Sequence, residues 1–205
     1  VVVWSNPVSI TYGTALSATE LNASTGVAGT FIYTPALGTV LNVGVGQTLL
    51  ATFNPTDTTN YNSATSSVVI TVTAAPLTIT ANDDTRVYGA ANPTFTASYT
   101  GFVNGDTAAS LTTPVILGTT AVPTSPVGTY PITATGATSS NYTITHVDGT
   151  LTVTIAPLTV TADPQTKVYG TLDPVLTYQI TTGALASGDS LVGTLDRVAG
   201  ETVGL

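Results

Sequence analysis

The chain has no cysteine and no methionine among its 205 residues. No disulfide can form, no thiolate can attack a substrate, and no zinc can be held by sulfur. Secreted eukaryotic modules of this size usually carry disulfides, so the absence fits a bacterial surface protein better. The lack of oxidisable Met points the same way. Charge is almost as scarce: charged residues are 7% of the chain, against roughly 25% in ordinary globular domains. Three are basic and 11 acidic, for a net charge of −8. Such a surface repels phosphate backbones and anionic bilayers, so no nucleic-acid partner is expected. No apolar run reaches the roughly 18 residues of a membrane span, so no membrane insertion is expected. The first residues, VVVWSNPV, carry no signal-peptide pattern and Val1 is not a start residue, which leads us to expect a piece of a longer polypeptide.

What is present is Thr, with Val, Ala and Gly behind it, and a hydrophobic share of 42%. A Thr hydroxyl lets a β-branched strand former face water, so Thr takes the place of charge on exposed faces. The stretches SSVVITVTAAPLTITA (66–81), GTYPITAT (128–135) and GTLTVTIAPLTVTA (149–162) alternate or run β-branched. No stretch keeps helical spacing over three turns; LSATELNA (16–23) and DTAASL (106–111) suit a single helical turn at most. With 19 Gly and 12 Pro as punctuation, the reading is all-β, many short strands in sandwiches or barrels.

The strands repeat. AAPLTITANDDTRVYG begins at Ala74 and APLTVTADPQTKVYG at Ala156, and Pro76 and Pro157 lie 81 residues apart (157 − 76). Tyr88-Gly89 and Tyr169-Gly170 each follow their Pro by 12 residues (88 − 76 and 169 − 157), and Tyr12-Gly13 is the same landmark in a first copy. Asn60-Tyr61 and Asn141-Tyr142 mark the back halves. The expected units are 1–74, 75–155 and 156–205, the third incomplete and lacking its last strands, because Val203-Gly204 matches Val127-Gly128. The joints are tight: a final strand runs through Ala-Pro into the next first strand, without a Gly/Ser spacer. Head-to-tail units on stiff joints make a rod.

Each landmark has a local job. Gly after Tyr supplies positive φ and turns the chain. Tyr12, Tyr88 and Tyr169 are expected to pack across the sandwich and to bond through the hydroxyl, rather than to stack on a sugar. Asn60 and Asn141 make turns, and Tyr61 and Tyr142 plug the base of the sandwich. Pro93 and Pro174 mark strand edges. Trp4, the only Trp, is expected half-buried in a strand VVVWS.

The pattern APLT-[IV]-TA, [VY]-YG, GD, VGTY-I, NY and GTLTV resembles the MBG-type (YGX-type) repeats of large bacterial surface adhesins. Residues 75–155 and 156–205 carry it, while WSNPVSITYGTAL, FIYTP and TFNPTDTTNYN in 1–74 resemble an Ig-like sister variant. The resemblance covers essentially the whole chain and implies an Ig-like β-sandwich per unit, strung as the stalk of a fibrillar adhesin.

Catalytic chemistry is thin. His146 is the one histidine; in TITHVDG it is expected at a solvated hairpin turn, with no second His to share a metal and no nucleophile elbow. There is no phosphate loop and no carboxylate pair repeated at fixed positions. No catalytic, cofactor-binding or metal-ligating residue is assigned, and an enzyme is the least favoured class. The candidate calcium positions are Asp83-Asp84, Asp163 with its counterparts Asn82 and Asn6, and Asp106 and Asp189. These are turn positions where Asp is favoured anyway, and no D-x-D-x-D-G loop is present. A Lys–Asn crosslink is unsupported: Lys167 is the only Lys, and its counterpart is Arg86. Asn22-Ala23-Ser24 and Asn141-Tyr142-Thr143 match the N-glycosylation pattern by chance.

The expected function is a structural stalk of a bacterial cell-surface fibrillar adhesin, extracellular, whose partners are neighbouring repeats of the same polypeptide and other copies in a fibre. The alternatives are a subunit of a self-assembling extracellular filament, completed by strand donation at the third repeat, and a glycan- or protein-binding module. The Thr/Gly/Ala-rich loops argue against the last.

Overall fold

A computed structural model describes residues 1–200. The expected match of Val203-Gly204 to Val127-Gly128 lies outside them. The alternating Thr and apolar residues become strand where the pattern is strongest. In chain order the strands are β1 (Ile10–Thr11), β2 (Gly29–Thr34), β3 (Gly44–Pro55), β4 (Ala64–Thr73), β5 (Ala75–Ala81), β6 (Asp84–Val87) and β7 (Ala97–Thr100). Then follow β8 (Ile116–Gly118), β9 (Gly128–Thr135), β10 (Tyr142–Val147), β11 (Gly149–Thr154), β12 (Thr159–Ala162) and β13 (Tyr178–Thr182). The fold is all-β; the helical element among the described residues is one 3-10 turn at Ala108–Ser110, inside the predicted DTAASL segment.

The chain forms two compact units. The first holds 1–81, 96–117 and 133–148; the second holds 82–95, 118–132 and the chain from 149 on. β8 and β9 each straddle a border between them.

In the first unit one sheet is ordered β1-β4-β3-β2, and another β10-β5-β7. β4 buries Val68, Ile70 and Val72 and turns Thr and Ser outward, so its period of two is set by one apolar face. β5 does the same with Ala75, Leu77, Ile79 and Ala81. Leu16, Leu21, Leu49, Val68 and Ile70 form one core cluster, with Trp4, Ile10, Tyr33 and Leu41 packed on it. In the second unit β11 lies between β6, parallel, and β9, antiparallel. β12 and β13 form a separate antiparallel pair.

The first and last strands of a repeat pair in parallel, a feature the sequence pattern does not carry. Ile10 faces Val72 in the first repeat, and Arg86 faces Val153 in the second, at corresponding positions. The opening strand is split in two: β5 bonds to β10, and after a break at residues 82–83 β6 bonds to β11.

Several local expectations change. Trp4 is half-buried as expected, but VVVWS forms only an isolated bridge, Val3 to Ser24. The indole Nε1 donates to the Glu20 carbonyl at 3.0 Å, and the ring meets Tyr33 edge-on. Pro93 and Pro174 lie in loops ahead of β7 and β13 rather than on strand edges, because a residue without N–H delays the ladder. His146 is not a turn residue: it stands half-buried in β10, with Nε2 buried and without a hydrogen-bond partner among the described residues. Tyr61 plugs nothing; it is exposed, beside a turn in which Asp57 accepts from the backbone N–H of Thr59 and Asn60.

Candidate functional site

The arrangement that recurs is a contact between one repeat and the next, built on Tyr-Gly and Gly-Asp. In the first unit, Tyr12 ends the β1 stretch and its N–H donates to the Thr73 carbonyl at 2.8 Å, locking it beside the end of β4. Gly13 follows with φ +92°, a conformation that suits Gly. Val103 of the second repeat fills the space a Cβ on Gly13 would take. Asn104 and Gly105 both have positive φ, so the loop reverses sharply and delivers Asp106.

Asp106 then accepts from two tyrosines on one oxygen. The Tyr12 hydroxyl donates to Oδ2 at 2.9 Å, and Tyr142 donates to the same atom at 2.7 Å. The hydrogen bond from Tyr142, and then that from Tyr12, holds the Asp106 carboxyl below its usual range against the opposing effect of burial. Burial, with the Asp106 charge adding to it, pushes the Tyr142 hydroxyl up to about 12. The two rings meet edge to face at 5.4 Å, and Phe102 meets Tyr142 likewise at 5.5 Å. Both geometries are favoured by the ring quadrupole.

Apolar packing runs through the same place. Tyr12 and Val72 of the first repeat are buried in one cluster with Ala75, Leu77, Ile79, Ala137 and Tyr142 of the second. The tight joint seen in the sequence is real here: β4 ends at Thr73, β5 begins at Ala75, and the Ala75 N–H donates to the Asn141 carbonyl at 3.0 Å. Asn141 also accepts from the Val43 N–H at 3.1 Å and donates through Nδ2 to Asn42 at 3.1 Å. That side chain ties the two repeats together besides making its own turn.

The second unit repeats the motif between the second and third repeats. The Tyr88 hydroxyl donates to Asp189 at 3.1 Å, and the hydrogen bond raises the Tyr88 pKa. Gly89 has φ +84°, and Ala186, the counterpart of Val103, stands where its Cβ would point. Tyr88 is less buried than Tyr12, and its joint lacks a second donor to Asp189 of the Tyr142 kind among the described residues. The sequence predicts that these tyrosines pack across the sandwich and bond through the hydroxyl. The Tyr12 and Tyr88 hydroxyls do bond, to the following repeat, while Tyr169 is 69% exposed. The sequence signal for this contact is the matching placement of Gly105-Asp106 and Gly188-Asp189.

The other flagged residues have structural partners. Asp83 accepts from the Thr150 N–H at 2.7 Å, and Asp84 from the Thr85 N–H at 2.8 Å. Asn6 accepts from the Val69 N–H in the first repeat, and Asp163 from the Thr177 hydroxyl in the third. Among the described residues no three His, Asp or Glu side chains gather as a metal would require. Lys167 sits 2.6 Å from Asp173, whose carboxyl is drawn down to about 2 by Arg197 and then Lys167. Arg86, its counterpart, is buried and donates to Asn92 Oδ1 at 2.8 Å and to the carbonyls of Val87, Val122 and Pro123.

Comparison with known proteins agrees with the repeat. The model of the MBG domain, YGX type, matches residues 77–152 and 158–205. No curated relative matches the chain.

Proposed function

Because the chain belongs to the MBG domain family of the YGX type, we propose that it is a stretch of non-enzymatic spacer repeats in a bacterial cell-surface fibrillar adhesin. Its mechanical task is to hold a distal binding region away from the cell. Consecutive repeats stand head to tail, outside the cell, and each joint resists bending. The observation that carries this reading is the clasp at Asp106, where an apolar core and the Tyr12 hydroxyl cross from one repeat to the next, onto a carboxylate that Tyr142 of the second repeat also holds. A flexible linker would place Gly and Ser at such a point and leave it solvated. A joint that buries Val72, Ala75 and Leu77 cannot hinge without exposing them to water.

Small-angle scattering of the 205-residue protein, with backbone relaxation of the same sample, tests it. The expected result is an elongated particle whose repeats tumble together, unchanged by a calcium chelator. A compact particle, or repeats that reorient independently, would sink the spacer reading. Softening in chelator alone would assign the stiffness to calcium rather than to the clasp.

A further inference from the structure

The open sheet edges of this chain differ in how well they are protected. In the first unit β2 closes one side of the sheet β1-β4-β3-β2, and among the described residues no strand lies beyond it. In the second repeat β8 takes the same place, at the end of β6-β11-β9-β8. That repeat has a neighbour before and after it in the chain, and the edge is open there as well, so the open edge belongs to the repeat itself. β8 has three residues, and shortness is one way to blunt an edge. β2 has six, GTFIYT, with no charge and no Pro, and it pairs with β3 without a register shift. Its outward Ile32 is 59% exposed. Among the described edge strands only β10 is as long, and it carries His146 and ends against Asp148.

The ladder between β2 and β3 says which backbone groups are free. The Thr56 N–H donates to the Ala28 carbonyl at 2.9 Å, and Pro55, opposite Gly29, has no N–H. The pairs that exchange bonds are therefore Thr30 with Asn54, Ile32 with Thr52 and Thr34 with Leu50. The N–H and C=O of Gly29, Phe31 and Tyr33 point to the open edge. Their conformation is fixed from inside, where the Phe31 ring meets Phe53 at 5.1 Å and Tyr33 meets Trp4 at 5.4 Å. Charge selects the occupant. No charged residue lies between Glu20 and Asp57, so β2 and β3 bring no like charges together when they meet themselves, although the whole chain carries −8. A basic strand would find no carboxylate on β2 to pair with. The strand also fits itself. In an antiparallel pair centred on Phe31, Gly29 exchanges bonds with Tyr33 of the second copy and Phe31 with its own equivalent, so every free group is used. Inward side chains stay inward, and Ile32 meets Thr30 of the second copy on the outer face as it meets Thr52 within its own sheet.

We propose that β2 is a self-recognition edge, through which two copies of this chain join antiparallel with Phe31 opposite Phe31. The two four-stranded sheets then form one sheet of eight strands (4 + 4). Backbone bonding along the edge gives affinity, and the pairing of Ile32 with Thr30 covers exposed apolar surface on the outer face. The proposal goes beyond the spacer reading and does not rest on it; a chain that stays monomeric leaves that reading standing.

Sedimentation equilibrium of the 205-residue protein at up to about 1 mM, with amide exchange on the same samples, tests it. The expected result is a monomer–dimer equilibrium in which the amides of Gly29, Phe31 and Tyr33 exchange more slowly as concentration rises. Those of Thr30, Ile32 and Thr34 should be protected throughout. Thr30→Lys combined with Ile32→Lys sets like charges opposite each other across the two-fold axis and should weaken the dimer about tenfold or more. Both side chains are exposed, so the doubly changed monomer should keep the parent's urea midpoint; if it does not, amide exchange in the parent decides alone. The chain has no cysteine, so the single changes Thr30→Cys and Ile32→Cys report the register. Mixed and oxidised, they should link to each other faster than either links to itself. A monomer at every concentration would overturn the proposal, and so would a dimer that leaves those three amides unprotected. Faster linking of Ile32→Cys to itself would overturn the register centred on Phe31.

Discussion

The Tyr12 hydroxyl donates to Asp106 Oδ2 at 2.9 Å, across 94 residues of sequence and from one repeat to the next. Because Tyr142 shares that oxygen, a single carboxylate holds two aromatic side chains. Hydrogen bonds to a charged group contribute about 1.5–3 kcal/mol. Asp106→Ala should therefore lower the unfolding free energy by about 2–3 kcal/mol in urea denaturation. Asp106→Asn keeps one acceptor oxygen and should cost less. Combined with Tyr12→Phe, Asp106→Ala should cost clearly less than the sum of the two single changes, because they share one interaction. Additive costs would mean that the hydroxyl and the carboxylate do not act together.

The same joint makes stability fall in alkali. Tyr142 has its pKa raised from 10.0 to about 12 in the folded chain, chiefly by burial. A raised acid favours its neutral form when folded, so its contribution is whole below pH 10 and is lost as pH climbs toward 12. Asp106 is shifted the other way, so its contribution is present at neutral pH and is lost on acidification below the ordinary carboxylate range. Denaturation midpoints measured from pH 8 to 12 should drop in the wild-type chain and drop less in Tyr142→Phe. Identical slopes would remove Tyr142 from the account.

Arg86 gives a test away from the first joint. Its guanidinium is buried and directs its N–H groups at one side-chain amide oxygen and three backbone carbonyls. The fork spans positions that an ammonium on a flexible stem cannot reach together. Arg86→Lys should cost about 2 kcal/mol through carbonyls left without a donor. Hydrogen exchange should quicken at β6 and near Val122 and Pro123. A Lys variant as stable as the parent would show that the fork is dispensable.

The sequence showed the strands because alternation is a local property, and Thr at every second position wrote it clearly. Ala64–Thr73, Ala75–Ala81 and Gly128–Thr135 fall where the pattern put them. Strand partners are not local. Nothing in ITYG or in VVITVT says that Ile10 runs parallel to Val72. The tyrosines were legible as anchors but not their acceptors, because a hydroxyl reaching a carboxylate 94 or 101 residues away leaves no spacing signal. Tyr61 and Tyr142 share the Asn-Tyr landmark but not its fate. The second repeat supplies Phe102 and Asp106 against Tyr142, whereas residues 1–74 contain no Gly-Asp pair to do so. His146 differs from its expected place for a related reason: β10 continues through THV and ends at Val147, one residue past it.

The glycines of the two joints make the sharpest comparison. Gly13 and Gly89 both lie at positive φ, +92° and +84°, so any other residue meets similar backbone strain at each, about 1–2 kcal/mol. Their neighbours differ. A Cβ on Gly13 would come 2.5 Å from Val103 Cγ2 and 2.7 Å from its Cβ. A Cβ on Gly89 would come 3.0 Å from the Ala186 methyl, a tighter fit than most but one that a small shift relieves. Gly13→Ala should therefore add an overpacking cost of about 1–3 kcal/mol to the strain, while Gly89→Ala should show little beyond the strain. Val103→Ala gives the first joint the side chain of the second. In that background the Cγ2 contact is gone but the 2.7 Å contact with Cβ stays, so Gly13→Ala should cost less than in the parent and still more than Gly89→Ala. Unfolding free energies of the four variants decide it. If Val103→Ala leaves the Gly13→Ala penalty unchanged, the Val103 Cγ2 contact contributes nothing to it.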